Sequence, residues 1–507
     1  MRHGLGRRVL LVGLQNVLGT LVGYLGLWSI IRFLGVSSWG VIGFATGFHS
    51  LFSFLLILPV DSAMIKLINE GEEESRVFSG ALFIKAVASV IFSASILLAI
   101  FTWTKILNRG FETPYHERVL ILLIPYSVLA SIIITYRSYL DAKLRTASST
   151  FPAIVESIFR NIMFFALAYF LFKFGSPGIW TSQLIAIVMS VSYILYLTIY
   201  LTMFDFPKLS LPDREILKKL WSFSRPLVIS TIIDRIVSLD RIILQYFYMA
   251  FEVGIYFSFY RMVSVMQVYG KSLIFVIFPA MTKSSFDKRD LLVRSSKYTI
   301  FVFSAVPAIV LPLSWTISNL FSRTLALYSD VLKILVLWGI LTVSVIPYRI
   351  FLMNFAEGRR SIMWASGAAT ATNIVLDLIL IPSRIGEVRL PGLGVLGAAI
   401  GTLAAAVVYN LIIRLEAVKK GVPGIMGSEL RAILAVLATV ALALLIQQFY
   451  YPIRAYAVAA FALLYASAYV LFSLLVDLVD LEDLRYLLRV ASPTGMISYV
   501  REEIWGD

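Results

Sequence analysis

Long apolar runs recur along the chain and are separated by short polar breaks. Each run is long enough to cross a membrane as a helix, because about 20 apolar residues span a hydrocarbon core of about 30 Å. The pattern predicts an all-α polytopic membrane protein with about fourteen transmembrane helices. The predicted spans are, in chain order, residues 9–34, 39–65, 78–104, 118–140, 150–173, 177–204, 220–248, 253–282, 297–321, 328–354, 361–382, 393–414, 431–450 and 454–476.

Composition places the chain in the same class. Hydrophobic residues make up 59% of the 507 residues and charged residues 15%, whereas an average soluble domain has about 25% charged residues. The chain has 0 cysteines, which excludes disulfides and thiolate metal sites, and its 3 histidines are far apart in the sequence. We therefore expect a membrane protein without a metal site.

The formal net charge of +14 fits membrane topology better than nucleic-acid binding. If the N-terminus is cytoplasmic, most lysines and arginines fall in the inner segments, as the positive-inside rule expects. The basic segment MRHGLGRR precedes the charge-free run Val9 to Ile31, which is too long for a signal-peptide core and is expected to stay as the first span. We expect a multi-pass protein of the cell membrane with both termini in the cytoplasm.

The polar loop DFPKLSLPDREILKK, from Asp205 to Lys219, predicts a division of the chain into two lobes. A weak internal repeat supports it, because RFLGVSSWGVIGFATGF and YFYMAFEVGIYFSFYRM align with Gly40 over Gly254. Both segments follow the first helix of a lobe, so the lobes would be parallel copies. The predicted domains are an N-terminal six-helix lobe at 1–205, a cytoplasmic linker at 206–219, a C-terminal six-helix lobe at 220–420, two additional transmembrane helices at 421–476 and a cytoplasmic amphipathic tail at 477–507.

The stretch from Trp221 to Thr282 carries charges within apolar sequence. Its first helix contains Asp234, Arg235, Asp240 and Arg241. A charge at the bilayer centre costs about 3 kcal/mol or more, so such residues usually face a bundle interior or a wet cavity. The four side chains point in different directions at about 100° per residue, and this helix should therefore be enclosed by protein.

Arginines within the predicted spans are candidate ligands for a phosphate or pyrophosphate head group. Arginine is always charged, and its planar fork matches phosphate geometry. These candidates are Arg235, Arg241, Arg261 and Arg349. The alternative is that Asp234, Asp240 and Asp377 neutralise the arginines in a closed structural network.

Acidic residues in the spans have two possible uses. They either couple transport to H+ or Na+ or act as charge partners of the arginines, and the candidates are Asp61, Asp234, Asp240 and Asp377. We expect no cofactor. Glu156 and Arg160 are four residues apart on one helix, the spacing of a structural ion pair. Lys85 lies close enough to the inner boundary to extend its ammonium group to the interface.

Several segments carry a resemblance to a known family: RFLGVSSWGVIGF after helix one, LWSFSRPLVISTIIDRIVSLDRIIL in helix seven, EVGIYFSFYRMV and FPAMTK in helix eight, and NIVLDLILIP with LPGLGVLGAAIGTLAAAV in helices eleven and twelve. On these segments the chain resembles the polysaccharide biosynthesis flippases of the multidrug/oligosaccharidyl-lipid/polysaccharide exporter superfamily. The resemblance implies two six-helix lobes in a V around a central cavity and alternating access that moves a lipid-linked oligosaccharide outward. With fourteen helices the chain is also similar to lipid II flippases, whose last two helices form a groove for the lipid tail.

The sequence therefore predicts a transporter and not an enzyme. We expect it to flip a polyprenyl-(pyro)phosphate-linked oligosaccharide from the inner to the outer face, with membrane lipid as its other partner and a monomer as its expected state. GxxxxGK[ST], HExxH and GxSxG motifs are missing, which argues against common enzyme classes. Three alternatives stay open: a cation or drug antiporter of the same superfamily, a membrane-embedded glycan polymerase or ligase, and an assembly scaffold.

Overall fold

The computed structural model describes residues 19–106, 108, 110–143, 145–211, 213–236, 239–282, 288–450 and 453–490, with the side chains of 146–147, 226–236, 268–282, 288, 356, 455 and 486–490 excepted. Nearly all of this part of the chain is helical. The helices are α1 (Gly19–Leu34), α2 (Val36–Phe52), α3 (Val60–Asn69), α4 (Glu74–Phe101), α5 (Pro114–Leu122), α6 (Ile124–Ala142), α7 (Thr146–Phe174), α8 (Ser182–Met203), α9 (Arg214–Ile236), α10 (Leu239–Phe247), α11 (Ala250–Thr282), α12 (Lys288–Phe321), α13 (Arg323–Ala326), α14 (Ser329–Ser344), α15 (Ile346–Met353), α16 (Ala356–Leu380), α17 (Val395–Lys419), α18 (Gly427–Tyr450), α19 (Val458–Leu475) and α20 (Leu481–Val490). Strands β1 (Arg384–Ile385) and β2 (Val388–Arg389) form a small antiparallel hairpin.

Ten helical stretches of the described residues are long and apolar enough to cross a membrane. Each overlaps one of the predicted spans, and the predicted all-α membrane-spanning fold is confirmed. These stretches are Glu74–Ile106, Pro114–Ala142, Ser148–Phe174, Ile179–Met203, Arg289–Phe321, Ser329–Met353, Glu357–Leu380, Val395–Lys419, Gly427–Tyr450 and Val458–Leu475.

The other four predicted spans are shorter, divided or charged. Only the part of the first span that forms α1 is described, and α1 ends in a π-helical turn at Ile30–Leu34. Gly35 follows with φ +94°, a conformation that favours glycine, and leads into α2. The second span is broken between α2 and α3, the seventh between α9 and α10, and the eighth corresponds to α11. Alternation of apolar and polar residues alone did not predict these breaks.

The chain divides into two compact units within α11, between Phe257 and Ser258. We call the described residues up to Phe257 the N-terminal unit and those from Ser258 the C-terminal unit. In the N-terminal unit, α9 packs on α3 and α4, and α10 packs on α2. The predicted six-helix lobes, the linker at 206–219 and the other predicted domain boundaries stay predictions.

Each unit has its own buried core. In the N-terminal unit, Met64, Phe78 and Tyr200 belong to an apolar cluster that joins α3, α4, α6, α8 and α9. In the C-terminal unit, a cluster that includes Phe301 and Tyr469 joins α12, α18 and α19. In both units the remaining helix faces carry exposed leucine, isoleucine and valine side chains, as expected where a helix bundle faces lipid.

Candidate functional site

The break between α2 and α3 lies within an otherwise apolar span. The sequence favours a break there because Pro59 has no backbone N–H and disfavours helical conformation at the residue before it. The segment between the helices turns through short bonds, such as Leu56 N–H to the Ser53 carbonyl at 3.0 Å. A carbonyl released from a helix within a membrane must find another donor. The Leu56 carbonyl has two donors, Lys85 Nζ at 2.7 Å and Ser131 Oγ at 2.8 Å.

Lys85 also makes a buried ion pair at this break. Its Nζ lies 2.9 Å from Asp61 Oδ2, and the lysine side chain is 0% exposed. Thr135 on α6 donates to the other carboxylate oxygen, Oδ1, at 2.7 Å. Extension to the interface was one of two possibilities for Lys85, and the structure shows the other: its charge is neutralised inside the unit by Asp61, which lies in a different helix.

A cavity of about 270 Å³ with a mixed lining of apolar and hydroxyl-bearing side chains adjoins the break. We call it the hydroxyl pocket. Its lining comes from α2, the break, Leu123 between α5 and α6, and the first part of α6, and no Asp, Glu, Lys or Arg is among these residues. They are Thr46, His49, Ser50, Ser53, Leu56, Ile57, Leu123, Tyr126, Ser127, Ala130, Ser131 and Ile134.

His49 holds one wall of the hydroxyl pocket in place. Its Nε2 lies 2.9 Å from the Leu120 carbonyl, and its Nδ1 lies 2.9 Å from Ser127 Oγ. A carbonyl only accepts, so Nε2 carries the hydrogen, and in the neutral ring Nδ1 accepts from the Ser127 hydroxyl. His49 is buried and packs edge-on against Phe92.

Three of the hydroxyls that line the pocket donate to backbone carbonyls. Thr46 donates to the Ile42 carbonyl at 2.8 Å, Ser53 donates to the Ser50 carbonyl at 2.8 Å, and Ser131 donates to Leu56 as above. A hydroxyl has one hydrogen and two lone pairs. These three groups therefore offer oxygen acceptors, and such a wall suits a neutral ligand that supplies O–H donors.

Arg241 lies at the edge of the hydroxyl pocket. From α10 its Nη1 donates to Thr46 Oγ1 at 3.3 Å and to the Gly43 carbonyl at 3.5 Å. Its guanidinium lies 5.1 Å from the centre of the Phe257 ring. Asp240 lies 3.6 Å from its Nε, so the pocket has a buried, compensated cation beside it.

Asp240 is itself tightly bound. Tyr256 Oη donates to its Oδ2 at 2.5 Å, and the Arg241 backbone N–H donates to its Oδ1 at 2.6 Å. The carboxylate is buried. This geometry suits a charge partner of Arg241.

The remaining sequence-predicted residues are spread over both units. Glu156 Oε1 lies 2.8 Å from Arg160 Nε and accepts from Ser192 Oγ at 2.9 Å, all in the N-terminal unit. In the C-terminal unit, Arg261 and Arg349 are exposed. The side chains of Asp234 and Arg235 lie outside the described residues. The convergence of the four arginines on one cavity stays a prediction.

Asp377 is buried on α16, where it faces the close approach of α17. A Cβ on Gly401 would overlap its Oδ1, and a Cβ on Gly397 would lie 2.8 Å from the Leu380 carbonyl carbon. Two glycines one turn apart thus let α17 pack directly on α16. The described contacts assign Asp377 to this helix interface.

Sequence reasoning missed a second charge pair, in the C-terminal unit. Arg414 binds Glu429 through two parallel bonds, each 2.7 Å long, and lies 4.5 Å from the Tyr348 ring centre. The pair adjoins a largely apolar cavity of about 500 Å³ between α12, α14, α17 and α18. No local spacing signals this pair, because the two residues are 15 positions apart with a loop between them.

Comparison with known proteins agrees with this architecture. Residues 5–285 match a family model described as polysaccharide biosynthesis protein, which is more than half of the 507 residues. No curated protein matches the sequence.

Solved structures with the same fold include membrane transporters. The lipid II flippase MurJ in an inward closed conformation matches with a TM-score of 0.69 and 16% identity, over 92% of this chain and 98% of that one. An inward-facing multidrug resistance MATE family transporter of the MOP superfamily matches with a TM-score of 0.62 and 17% identity, over 79% of this chain and 96% of that one. At these identities the likeness establishes the fold, which is an all-helical transporter fold.

Proposed function

This chain belongs to the polysaccharide biosynthesis protein family, and from that premise we propose that it is a flippase for a polyprenyl-(pyro)phosphate-linked oligosaccharide. It would carry the sugar head group from the inner to the outer face of the cell membrane by alternating access. The sugar is polar and cannot cross hydrocarbon unaided, because each unpaired hydroxyl costs several kcal/mol there.

One observation carries this proposal. The hydroxyl pocket lies within a membrane-spanning unit, its lining has no ionised side chain, and several of its hydroxyl oxygens remain available as acceptors. Such a pocket can replace the water around a sugar. Arg241 lies beside the pocket, and its guanidinium group can bind a phosphate through two parallel hydrogen bonds.

The roles of single residues belong to the same proposal. Arg235, Arg241, Arg261 and Arg349 would bind the (pyro)phosphate in different stages of the cycle. Carboxylates within the predicted spans would couple transport to H+ or Na+, and the candidates whose side chains the structure describes are Asp61, Asp240 and Asp377. Broken membrane helices are where transporters commonly place substrate and ion sites, and the α2–α3 break fits this rule.

The experiment is transport in proteoliposomes that contain a lipid-linked oligosaccharide, with a membrane-impermeant glycosidase to report outward exposure of the sugar. Thr46→Val removes a pocket oxygen at nearly constant shape, and we expect transport to fall several-fold at matched protein content. Thr198→Val is the control, because Thr198 is an exposed residue whose hydroxyl donates to the Ile194 carbonyl.

An outcome in favour of the cation or drug antiporter would be distinct. Uptake of an organic cation driven by a proton or sodium gradient, with no movement of the lipid-linked sugar, would replace the flippase proposal. Release of a longer glycan by the purified protein would instead favour a polymerase or ligase.

A further inference from the structure

The ammonium group of Lys85 is enclosed by oxygen atoms at the break between α2 and α3. Its Nζ lies 2.7 Å from the Leu56 carbonyl oxygen and 2.9 Å from Asp61 Oδ2. Leu56 belongs to the break itself, and Asp61 lies in the first turn of α3. The lysine side chain is 0% exposed. The ammonium group is therefore coordinated by a backbone oxygen as well as paired with a carboxylate.

Two hydroxyls on α6 hold these oxygen atoms in place. Ser131 Oγ donates to the Leu56 carbonyl at 2.8 Å, and Thr135 Oγ1 donates to Asp61 Oδ1 at 2.7 Å. Residues four positions apart share one face of a helix, and both hydroxyl side chains are buried. Outer partners of this kind orient the ligands of an ion site. The carbonyl and the carboxylate thus have supports that do not depend on the lysine.

This set of oxygen atoms suits a hard cation. Carboxylates and carbonyls are the ligands of such ions, and carbonyls of unwound membrane helices coordinate Na+ in transporters. Asp61 carries one negative charge, so one positive charge makes the site neutral, whereas a divalent ion would leave an excess charge within the membrane. An ionised carboxylate and a carbonyl only accept hydrogen bonds, which excludes an anion. The chemistry therefore selects a monovalent cation.

The site adjoins the hydroxyl pocket. Leu56 and Ser131 line that pocket, and the Asp61 side chain is 13% exposed. A small cation that enters the hydroxyl pocket therefore reaches the wall that carries the Leu56 carbonyl. Removal of the Lys85 side chain would free the room that its ammonium group now fills.

We propose that these oxygen atoms form a monovalent-cation site whose cation is supplied by the chain itself. The Lys85 ammonium group takes the place of the ion, so the site stays filled and a metal cation is excluded from Asp61. The alternative is an ordinary structural ion pair, which a free cation cannot replace. Asp61 is also a candidate coupling carboxylate, and the exclusion of Na+ from coupling at this residue is the one consequence that rests on the proposed function.

The test is thermal unfolding of the purified full-length protein in detergent, in NaCl, KCl or choline chloride at equal ionic strength. Choline is too large for the place of an ammonium group. Lys85→Ala should unfold at a midpoint at least about 2 °C higher in NaCl or KCl than in choline chloride, because a small cation binds the vacated oxygen atoms and stabilises the fold.

Two controls accompany this variant. Lys66→Ala removes a lysine that is about half exposed, and its midpoint should respond to the three salts as the wild-type midpoint does. Adding Asp61→Asn to Lys85→Ala removes the charge that attracts the cation, so the double variant should lose the difference between the salts.

Four results would overturn the inference. The first is a salt difference in Lys85→Ala no larger than in the wild type. The second is a difference that persists in the double variant, because the cation then binds elsewhere. The third is a difference in the wild type that Asp61→Asn alone abolishes, because a metal cation then binds Asp61 despite the lysine. The fourth is failure to obtain folded Lys85→Ala from cells, since cytoplasmic potassium should fill the site.

Thermal unfolding needs no transport. A protein that shows the expected salt response but fails in the proteoliposome assay would refute the flippase proposal and leave this site standing.

Discussion

Gly40 on α2 and Gly254 on α11 lie in direct contact, so close that a Cβ built on Gly40 would stand 2.9 Å from the Gly254 backbone nitrogen. That same Cβ would overlap the Ala250 carbonyl oxygen, and a Cβ on Gly254 would overlap the Val36 carbonyl oxygen. These are the two glycines that the internal repeat aligned. Because neither has a side chain, the backbones of α2 and α11 approach each other at this point.

Gly40→Ala should therefore destabilise the protein. The overlap is with backbone atoms, which cannot turn aside, so we expect a loss of about 1–3 kcal/mol or more, measured as a lower thermal unfolding midpoint in detergent. Gly367→Ala is the control, because nothing lies within 4 Å of a Cβ at Gly367. Equal midpoints for the two variants would contradict the close approach.

Breaking the ion pair between Asp61 and Lys85 should lower the free energy of unfolding more than removing an exposed ion pair does. Lys85→Ala leaves Asp61, whose side chain is only 13% exposed, without its charge partner, and breaking such a pair typically costs about 3–5 kcal/mol where the charge is buried. Lys66→Ala removes a partner of Glu70 in a pair about half exposed and should cost about 1 kcal/mol or less. Thermal unfolding of both variants measures the difference. The double variant Lys85→Met with Asp61→Leu should recover much of the loss, since no charge is then left unpaired.

Arginine-to-lysine changes separate phosphate ligands from structural charges. Lysine keeps the charge but loses the planar fork, so Arg241→Lys should reduce flipping of the lipid-linked sugar several-fold, as should Arg235→Lys, Arg261→Lys or Arg349→Lys wherever the arginine contacts phosphate. Arg294→Lys is the control, because Arg294 is 74% exposed and pairs with Asp290. Full transport in all four variants would assign the arginines a structural role.

The topology can be tested without first replacing native cysteines, because the chain has 0 cysteines. Single cysteines at positions 109 and 213 should react with a membrane-impermeant maleimide from opposite sides, with position 109 accessible from outside intact cells. Reaction of both from outside would refute the orientation with cytoplasmic termini.

Acid should loosen the attachment of α20. Burial raises the pKa of Asp483, but hydrogen bonds from Lys297 and from Tyr298 Oη at 2.7 Å outweigh it and hold that pKa below its ordinary value. A lowered pKa means that the ionised acid stabilises the folded state above the unfolded pKa, and that this contribution is lost as pH falls through the folded pKa. A spin label at position 481 should thus become more mobile below about pH 4, whereas Asp483→Asn should be mobile at every pH.

The sequence by itself determined the class of the protein and the course of most helices. Apolar runs such as 431–450 and 454–476 became α18 and α19 because a backbone in lipid must satisfy its own hydrogen bonds, and a helix does so locally. Family membership also followed from local segments. These features depend on residues that are neighbours in the chain.

Tertiary structure decided where the helices break and which polar groups meet. Asp61 and Lys85 were both visible in the sequence, but only the packing of α3 against α4 brings them to 2.9 Å. The hydroxyl pocket joins residues of α2 to residues of α6 some 80 positions later, and the ring of Trp103 packs against that of Tyr246. Such contacts are made by side chains far apart in sequence. The periodicity of apolar and polar residues cannot specify them, because it shows which face of a helix is apolar but not which other helix covers that face.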